Sequence, residues 1–322
     1  MKVQELRDLL KAADRDLLEK AFVESYKHLT KKQKEEADQA ITDILSGKST
    51  KGTVKKETVD FDELELQITE FLENAYAQNY FAPNRIIPKS QRPKWRFLVK
   101  NYIKELGKIS VEDANYTRSA KLMTDLYHLL CEACNYYLFS TDDAFRSVGW
   151  QQPELFQIVV KKVFGDGYSR EKISALLLDS VSGGLSRESL HIEQESVLLA
   201  ELKTSDVKYM AIEEARRLIE ERKQKLKGFK EYDSKRYRLG DEINNLCDVI
   251  LLIAIELAEP ASGIEFYFQN YEQSNKEVTL YCALRIADWV EDEELWIKIY
   301  EYGISKKIEP RDRLVAKYES MK

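Results

Sequence analysis

Glycine and proline are scarce in this chain, 12 and 6 among 322 residues. A β-rich protein or a Rossmann-like α/β fold of that length uses many more turn residues. The shortage excludes both and points to helices joined by short connections. Long apolar runs are also absent. The most apolar segment, CDVILLIAIELA from Cys247 to Ala258, is interrupted by Asp248 and Glu256. It falls short of the roughly 18 apolar residues a membrane span needs and reads as a core helix. The opening MKVQELRDLL carries charges where a signal peptide has its apolar run, so a cytoplasmic protein is expected. Four cysteines without a framework of paired spacings read as reduced thiols.

The motifs of common catalysis are missing as well. Neither GxGxxG nor GxxxxGK[ST] occurs, and GDGYSRE and SGGLSRE lack the required spacing. No HExxH and no G-x-S-x-G is present, and there are only three histidines. No catalytic residue and no cofactor is assigned, and the leaning is against an enzyme. His128, Cys131 and Cys134 have H-x-x-C-x-x-C spacing. Zinc takes four ligands, and these three lie within an apolar helical segment where a free cysteine is ordinary core. No metal is expected.

What is present is 43% hydrophobic and 33% charged residues, enough to build an ample core and too apolar for wholesale disorder. The expected fold is all-α, an irregular helical bundle or an α-solenoid-like stack of helix pairs. Residues 1–46 read as a small N-terminal helical unit. Leu6, Leu9, Leu10 and Ala13 form one stripe, Leu17, Leu18, Phe22 and Tyr26 the next, and Thr30 with Gln33 has capping-box spacing. Its opening KVQELRDLLKAADRDLLEKAF resembles the two-helix SAP motif of DNA-binding proteins without that motif's interhelical glycine. A plain helical hairpin is the reading taken.

Residues 47–59, GKSTKGTVKKETV, have the composition of a linker, and 60–322 form the larger domain. Its first helix, over 60–79, starts at an Asp60 cap with Glu63, staples Val59 to Leu64, and buries Phe61, Leu64, Ile68, Phe71 and Ala75. Asp62, Glu65, Glu70 and Glu73 lie on its outer side. Ser110 and Asp113 open a helix running to about Phe139, whose second part, LYHLLCEACNYYLF, is apolar all round. Breaks then follow about every 16 to 20 residues, the spacing of a helix plus a short turn. Two longer helices cover 205–228 and 235–258, and the tail breaks at Pro260 to Gly263, Ser274, Glu291 to Glu293 and Gly303 to Pro310. Helices succeeding one another at such intervals resemble the α-solenoids of the HEAT and tetratricopeptide kind in architecture. No repeated consensus accompanies the resemblance.

One stretch is out of balance with a chain of formal charge −6. From Pro83 to Lys104 it carries Arg85, Lys89, Arg92, Lys94, Arg96, Lys100 and Lys104 and no acidic residue. From Arg92 onward Trp95, Leu98, Tyr102, Ile103 and Leu106 make one helical stripe, and Arg92, Arg96, Lys100 and Lys104 form a row on the other side. Like charges four apart cost roughly 0.2 to 0.5 kcal/mol per pair unless an anion lies alongside. Arg85, Lys89, Arg92, Trp95, Arg96, Lys100 and Lys104 are therefore the candidate binding residues.

Three anions are conceivable. Glu70 and Glu73 of the preceding helix would neutralise the row internally. An acidic protein partner makes the chain an interaction or scaffold protein. Nucleic-acid phosphate fits the interleaved Tyr80, Phe81, Trp95 and Phe97, and would be favoured if the second basic run, Arg222 to Arg238, shared the surface. Among functions, a protein partner is the leading expectation, nucleic-acid binding the alternative, and an enzyme of unrecognised type the third. In the last quarter Phe266, Tyr267, Phe268, Tyr271, Trp289, Trp296 and Tyr300 read chiefly as core. Glu213, Glu214, Glu220 and Glu221 read as ion-pair partners of Arg216 and Arg217 on a solvated face.

Overall fold

The computed structural model describes residue 11, residues 13–30, 34, 37, 38, 41 and 42, and then 60–230 and 232–321. Every regular element among them is helical. Leu6, Leu9, Leu10, Gln33 and Val59, most of the segment resembling the SAP motif's first helix, and the 47–59 linker lie outside the described residues. The chain divides into two compact units, one up to Phe61 and one from Asp62 onward. In the first, α1 (Arg15–Lys27) begins at Asp14, whose carboxylate accepts from the Leu17 amide at 2.9 Å. Among the described residues it buries no side chain, and Leu17, Phe22 and Val23 stand exposed.

The second unit begins in the first turn of α2 (Phe61–Tyr76) and continues through α3 (Trp95–Gly107), α4 (Tyr116–Asn135), α5 (Ala144–Val148), α6 (Gln152–Phe164) and α7 (Arg170–Val181). After these come α8 (His191–Glu201), α9 (Ser205–Leu226), α10 (Ser234–Glu256), α11 (Pro260–Asn270), α12 (Lys276–Trp289), α13 (Glu293–Ser305) and α14 (Asp312–Ser320). The helix starts are written locally. Ser169, Thr204, Asn275 and Asp292 each accept an amide hydrogen bond as the N-cap of α7, α9, α12 and α13.

The fold is all-α, with helices stacked in pairs. Helices two apart in order pack together, α4 on α6, α6 on α8, α8 on α10 and α10 on α12 in one layer. Opposite them α7 packs on α9 and α11 on α13, and α7–α8, α9–α10 and α12–α13 join the layers. The centre is α10, which touches α7, α8, α9, α11 and α12. Its Val249 to Ala254 are all buried, as an all-apolar helical segment must be.

Two glycines do not do what composition suggests. Gly263 and Gly303 were expected at breaks, yet both lie inside helices and are buried. They permit close approach. A Cβ on Gly263 would come within 2.7 Å of the Ala254 Cβ on α10, and one on Gly303 within 2.8 Å of Leu280 on α12. The turn before α11 is instead made by Ala258 at φ +59° and by Pro260 at the helix start. Gly263→Val should therefore destabilise the chain by about 1 to 3 kcal/mol through overpacking. An unchanged urea midpoint in this variant would mean that α11 has room to move away from α10.

The fourth helix also ends earlier than its apolar sequence implies. It stops at Asn135, Tyr136 takes an extended conformation, and Tyr136 and Tyr137 are exposed, while Leu138 and Phe139 fold back into the core. At the C-terminal end Tyr267, Trp296 and Tyr300 are buried. Trp296 stacks on Tyr300 at 5.5 Å and Tyr300 on Tyr318 of α14 at 4.3 Å. Most of that aromatic richness is helix-to-helix packing, with Trp289 left 42% exposed.

Candidate functional site: the cationic face of α3

The approach to α3 is a loop stitched by its own polar side chains. Asn84 donates to the carbonyls of Asn79 and Ala82 at 2.6 and 2.7 Å, and its Oδ1 accepts from the amides of Ile86 and Ile87 at 2.9 and 2.8 Å. Such an Asx turn replaces the backbone pairing that an irregular segment lacks. Arg92 completes it, donating from Nε to the Ile87 carbonyl at 3.0 Å and from Nη2 to the Asn84 carbonyl at 3.1 Å. The loop is fixed, and Arg85 and Lys89 project from it into solvent.

Below the loop lies an aromatic clasp. Trp95 stacks on Phe139 with centroids 3.9 Å apart and planes at 11°. Phe71 of α2 packs against Tyr80 at 5.2 Å, Tyr102 of α3 at 5.7 Å and Phe139 at 6.4 Å. Burial, with Tyr102 and Glu70 adding to it, pushes the Tyr80 hydroxyl up to about 12, so it stays a neutral phenol. The clasp thus binds α2, the loop, α3 and the return after α4 into one body.

The C-terminal end of α3 is held by a buried cation. Lys162 of α6 is 7% exposed and donates to the carbonyls of Leu106 at 3.0 Å and Ile109 at 2.6 Å. Its ammonium lies 4.2 Å from the Tyr116 ring centroid. Burial lowers its pKa, against the pull of Asp113. A cation at this end also meets the negative pole of the helix.

With both ends fixed, α3 buries Trp95, Val99, Tyr102, Ile103 and Leu106 and half-buries Leu98. Opposite stand Arg96, Lys100 and Lys104, all exposed. Two of the seven candidates are not on that surface. Trp95 is 4% exposed, its ring committed to Phe139. Arg92 is drawn out of the row because Arg92–Lys94 form a 3-10 turn before the α-helix begins, and its guanidinium serves the loop. The exposed ring is Phe97 at 61%, with the Arg96 guanidinium 4.9 Å from its centroid. In the sequence Phe97 stands out only as one of several interleaved aromatics.

The acidic helix does not neutralise this row. Arg118 of α4 takes the α2 carboxylates instead, meeting Asp62 at 3.0 Å and pairing closely with Glu65. Arg85, Lys89, Arg96, Lys100 and Lys104 form no ion pair with any described carboxylate. Lys100 reaches toward Trp150, its ammonium 5.6 Å from the ring centroid. Trp150 forms one wall of a groove of about 500 Å³ lined by Arg146, Gln151, Glu154, Ser186, Glu188 and Glu193, among others.

That groove is rigid and polar. Asp143 accepts from the Ser186 hydroxyl at 2.6 Å and from the Arg146 and Arg187 amides at 3.1 Å. Burial alone would raise its pKa, but these donors outweigh burial and lower it. Gln152 pins the opposite loop, donating to the Gly184 carbonyl at 3.1 Å and accepting from the Ser186 amide at 2.7 Å. Glu154 and Glu193 accept from the backbone amides of Gln151 and Leu190, the residues just before α6 and α8, so those carboxylates are already engaged in capping.

Four of the eight cations of the second basic run are engaged within the fold. Arg222 is buried and pairs with Glu242 at 2.6 Å, Lys223 donates to Asn270 at 2.7 Å, and Lys225 pairs with Glu221 at 2.7 Å. Arg236 donates to the Leu226 carbonyl at 3.2 Å. Glu214 is buried between Arg170 at 3.0 Å and Arg217 at 2.9 Å rather than solvated, and Arg216 lies over Phe266 instead. Of the H-x-x-C-x-x-C set, His128 bonds Asp179 at 2.8 Å, Cys131 is buried and Cys134 half-buried. Among the described residues no three His, Cys, Asp or Glu side chains converge as metal ligands.

Comparison of the chain with protein-family models, with curated proteins and with solved structures finds no match. Among the described residues no helix is long and apolar enough to cross a membrane.

Proposed function

We propose that the chain is a non-enzymatic interaction protein that holds an acidic segment of a protein partner on the exposed face of α3. Arg96, Lys100 and Lys104 supply the charge, Phe97 the apolar anchor, and Arg85 and Lys89 flank it from the stitched loop. The observation that carries this reading is the unpaired row itself. Five exposed cations on a pre-ordered surface make no ion pair with a described carboxylate, although the chain has an excess of acid and α2 alone presents several. Repulsion along the row is relieved when a carboxylate-bearing segment lies beside it. A fixed scaffold also lowers the ordering cost of binding. Internal partners for Arg222, Lys223, Lys225 and Arg236 reduce the charge that the second run can add to a nucleic-acid surface.

The test is a fluorescence-polarisation titration with a labelled helical peptide bearing glutamates four apart and one leucine between them. Single-stranded and double-stranded oligonucleotides serve as competing probes, at low and moderate salt. Peptide binding should weaken about tenfold or more in Arg96→Gln/Lys100→Gln/Lys104→Gln, and about tenfold in Phe97→Ala, the loss of one anchor worth about 1.4 kcal/mol. The urea midpoint of the triple variant should stay near wild type, since these side chains are exposed. Tighter, steeply salt-dependent oligonucleotide binding lost in the same variant would replace this reading with the nucleic-acid one. Binding of either probe unaffected by the substitutions would move the site away from α3.

A further inference from the structure

The interior of the C-terminal half contains two carboxyl groups that neither the packing nor the α3 surface requires. Glu195 of α8 and Asp248 of α10 belong to helices that pack together, and the charge of Asp248 acts on Glu195. Glu195 is 1% exposed, and both its oxygens are closed to solvent and accept no hydrogen bond within the chain. Asp248 is half-buried as a residue, yet its Oδ1 is equally closed and unbonded. Native interiors rarely leave such groups unmet, and each calls for a reason.

Polar groups from the neighbouring helices converge here. From α11 the Tyr267 hydroxyl, fully buried and without a properly formed hydrogen bond, approaches Asp248, and Tyr271 stacks on Tyr267 at 4.8 Å. From α12 comes Cys282, which interacts with Tyr271 and Asp248. Cys247 neighbours Asp248 on α10 itself. Positive charge reaches the pair only from outside it. Arg285 on α12 acts on Asp248, and Lys223 on α9 acts on Cys247 while bonded to Asn270. From α6 and α7, which also pack on α8 and α10, no titratable side chain of the described residues acts on either carboxyl.

We propose that Glu195 and Asp248 act as a buried, proton-holding latch between α8, α10, α11 and α12 and let that end of the stack loosen when both become ionised. Two carboxylates closed off from water without hydrogen-bond partners on packed helices cannot both be charged without a large penalty, so the folded chain retains a proton on at least one of them. A protonated carboxyl carries no buried charge and donates as well as accepts, so a neutral Asp248 and the Tyr267 hydroxyl can satisfy one another in either direction.

The directions agree with this geometry. Burial first, and Asp248 second, hold Glu195 well above the ordinary glutamate range, and burial raises Asp248 to about 7 despite Tyr267 and Arg285. With acids raised in the folded state, the folded chain keeps protons that the unfolded chain has already released. The stabilisation is complete below about pH 4, near the unfolded values, and is lost as pH rises through 7 and beyond.

The test is urea unfolding of the full chain from pH 5 to 9 in wild type, Glu195→Gln and Asp248→Asn, with amide hydrogen exchange of wild type at pH 6 and 9 corrected for intrinsic rates. In wild type the folding constant should fall by up to tenfold per pH unit for each proton that the folded chain still holds and the unfolded chain has released, levelling off once the pair is ionised. Either amide variant should show a shallower fall. Exchange at pH 9 should accelerate in α11 and α12 before α4 and α6. Parallel pH profiles of wild type and variants overturn the proposal. Because a variant could fail to fold, carboxyl-carbon NMR of wild type labelled at Asp and Glu supplies an independent reading. One buried carboxyl titrating above pH 6 is expected, and all carboxyls titrating below pH 5 overturns the latch.

Discussion

Trp95→Ala should lower the unfolding free energy by about 3 to 5 kcal/mol, the range for deleting a large aromatic side chain from a packed core. The ring is 4% exposed and lies 3.9 Å from Phe139, itself 1% exposed, so truncation would empty space beside Phe139, against which Phe71 and Tyr80 also pack. Phe71, Tyr80 and Phe139 belong to different pieces of chain, and none can close the gap without pulling on α2, the loop or the return after α4. Trp95→Phe should cost less, because a smaller ring can keep the offset stack. Phe97→Ala, two residues on and 61% exposed, should fall within about 0.5 kcal/mol of wild type. Equilibrium urea unfolding of the three variants separates a structural tryptophan from an exposed binding aromatic. A Trp95→Ala protein of native stability would place the ring at the surface and restore it to the binding set.

The contrast between these neighbours marks where local reading stops. Spacing placed Trp95, Tyr102, Ile103 and Leu106 on the buried stripe of α3 and Arg96, Lys100 and Lys104 on the other side, because a period of 3.6 is a property of the backbone. The two long helices, read over 205–228 and 235–258, come within two residues of their observed ends for the same reason. Arg92 left the row because Pro93 sits in a 3-10 turn, a geometry with a different angular step per residue. Gly263 and Gly303 read as punctuation in the sequence because a glycine's effect on its own helix is local, whereas its value at a crossing depends on what lies opposite. The LYHLLCEACNYYLF run ended short because Leu138 and Phe139 are apolar toward the clasp rather than along α4. Lys162, Gln152 and the Glu195–Asp248 pair had no local signal. Their partners lie 53 to 56 residues away for Lys162 and 32 to 34 for the amide bonds of Gln152.

The second basic run supplies the other large effect. Arg222→Met should cost about 3 to 5 kcal/mol, because it leaves the Glu242 carboxylate in a largely dry site without its partner. The side chains of Arg222 and Glu242 are only 9% and 14% exposed, their Nε to Oε2 distance is 2.6 Å, and the guanidinium also donates to the Leu218 carbonyl at 3.4 Å. The pair crosses from α9 to α10, the helices at the centre of the stack. Neutralising both ends tests the cause. Arg222→Met/Glu242→Leu removes the orphaned charge and should recover most of the loss, since a packed apolar pair can match a buried ion pair. The coupling from the double-mutant cycle should therefore be large and of opposite sign to the single costs. A double variant no more stable than Arg222→Met would mean that packing of the arginine stem, and not the charge left behind, carries the penalty. Either way Arg222 acts on stability, whereas Arg96, Lys100 and Lys104 are expected to act on binding without it. Arg222 thus has a buried carboxylate provided by the fold, whereas among the described residues the exposed face of α3 has none.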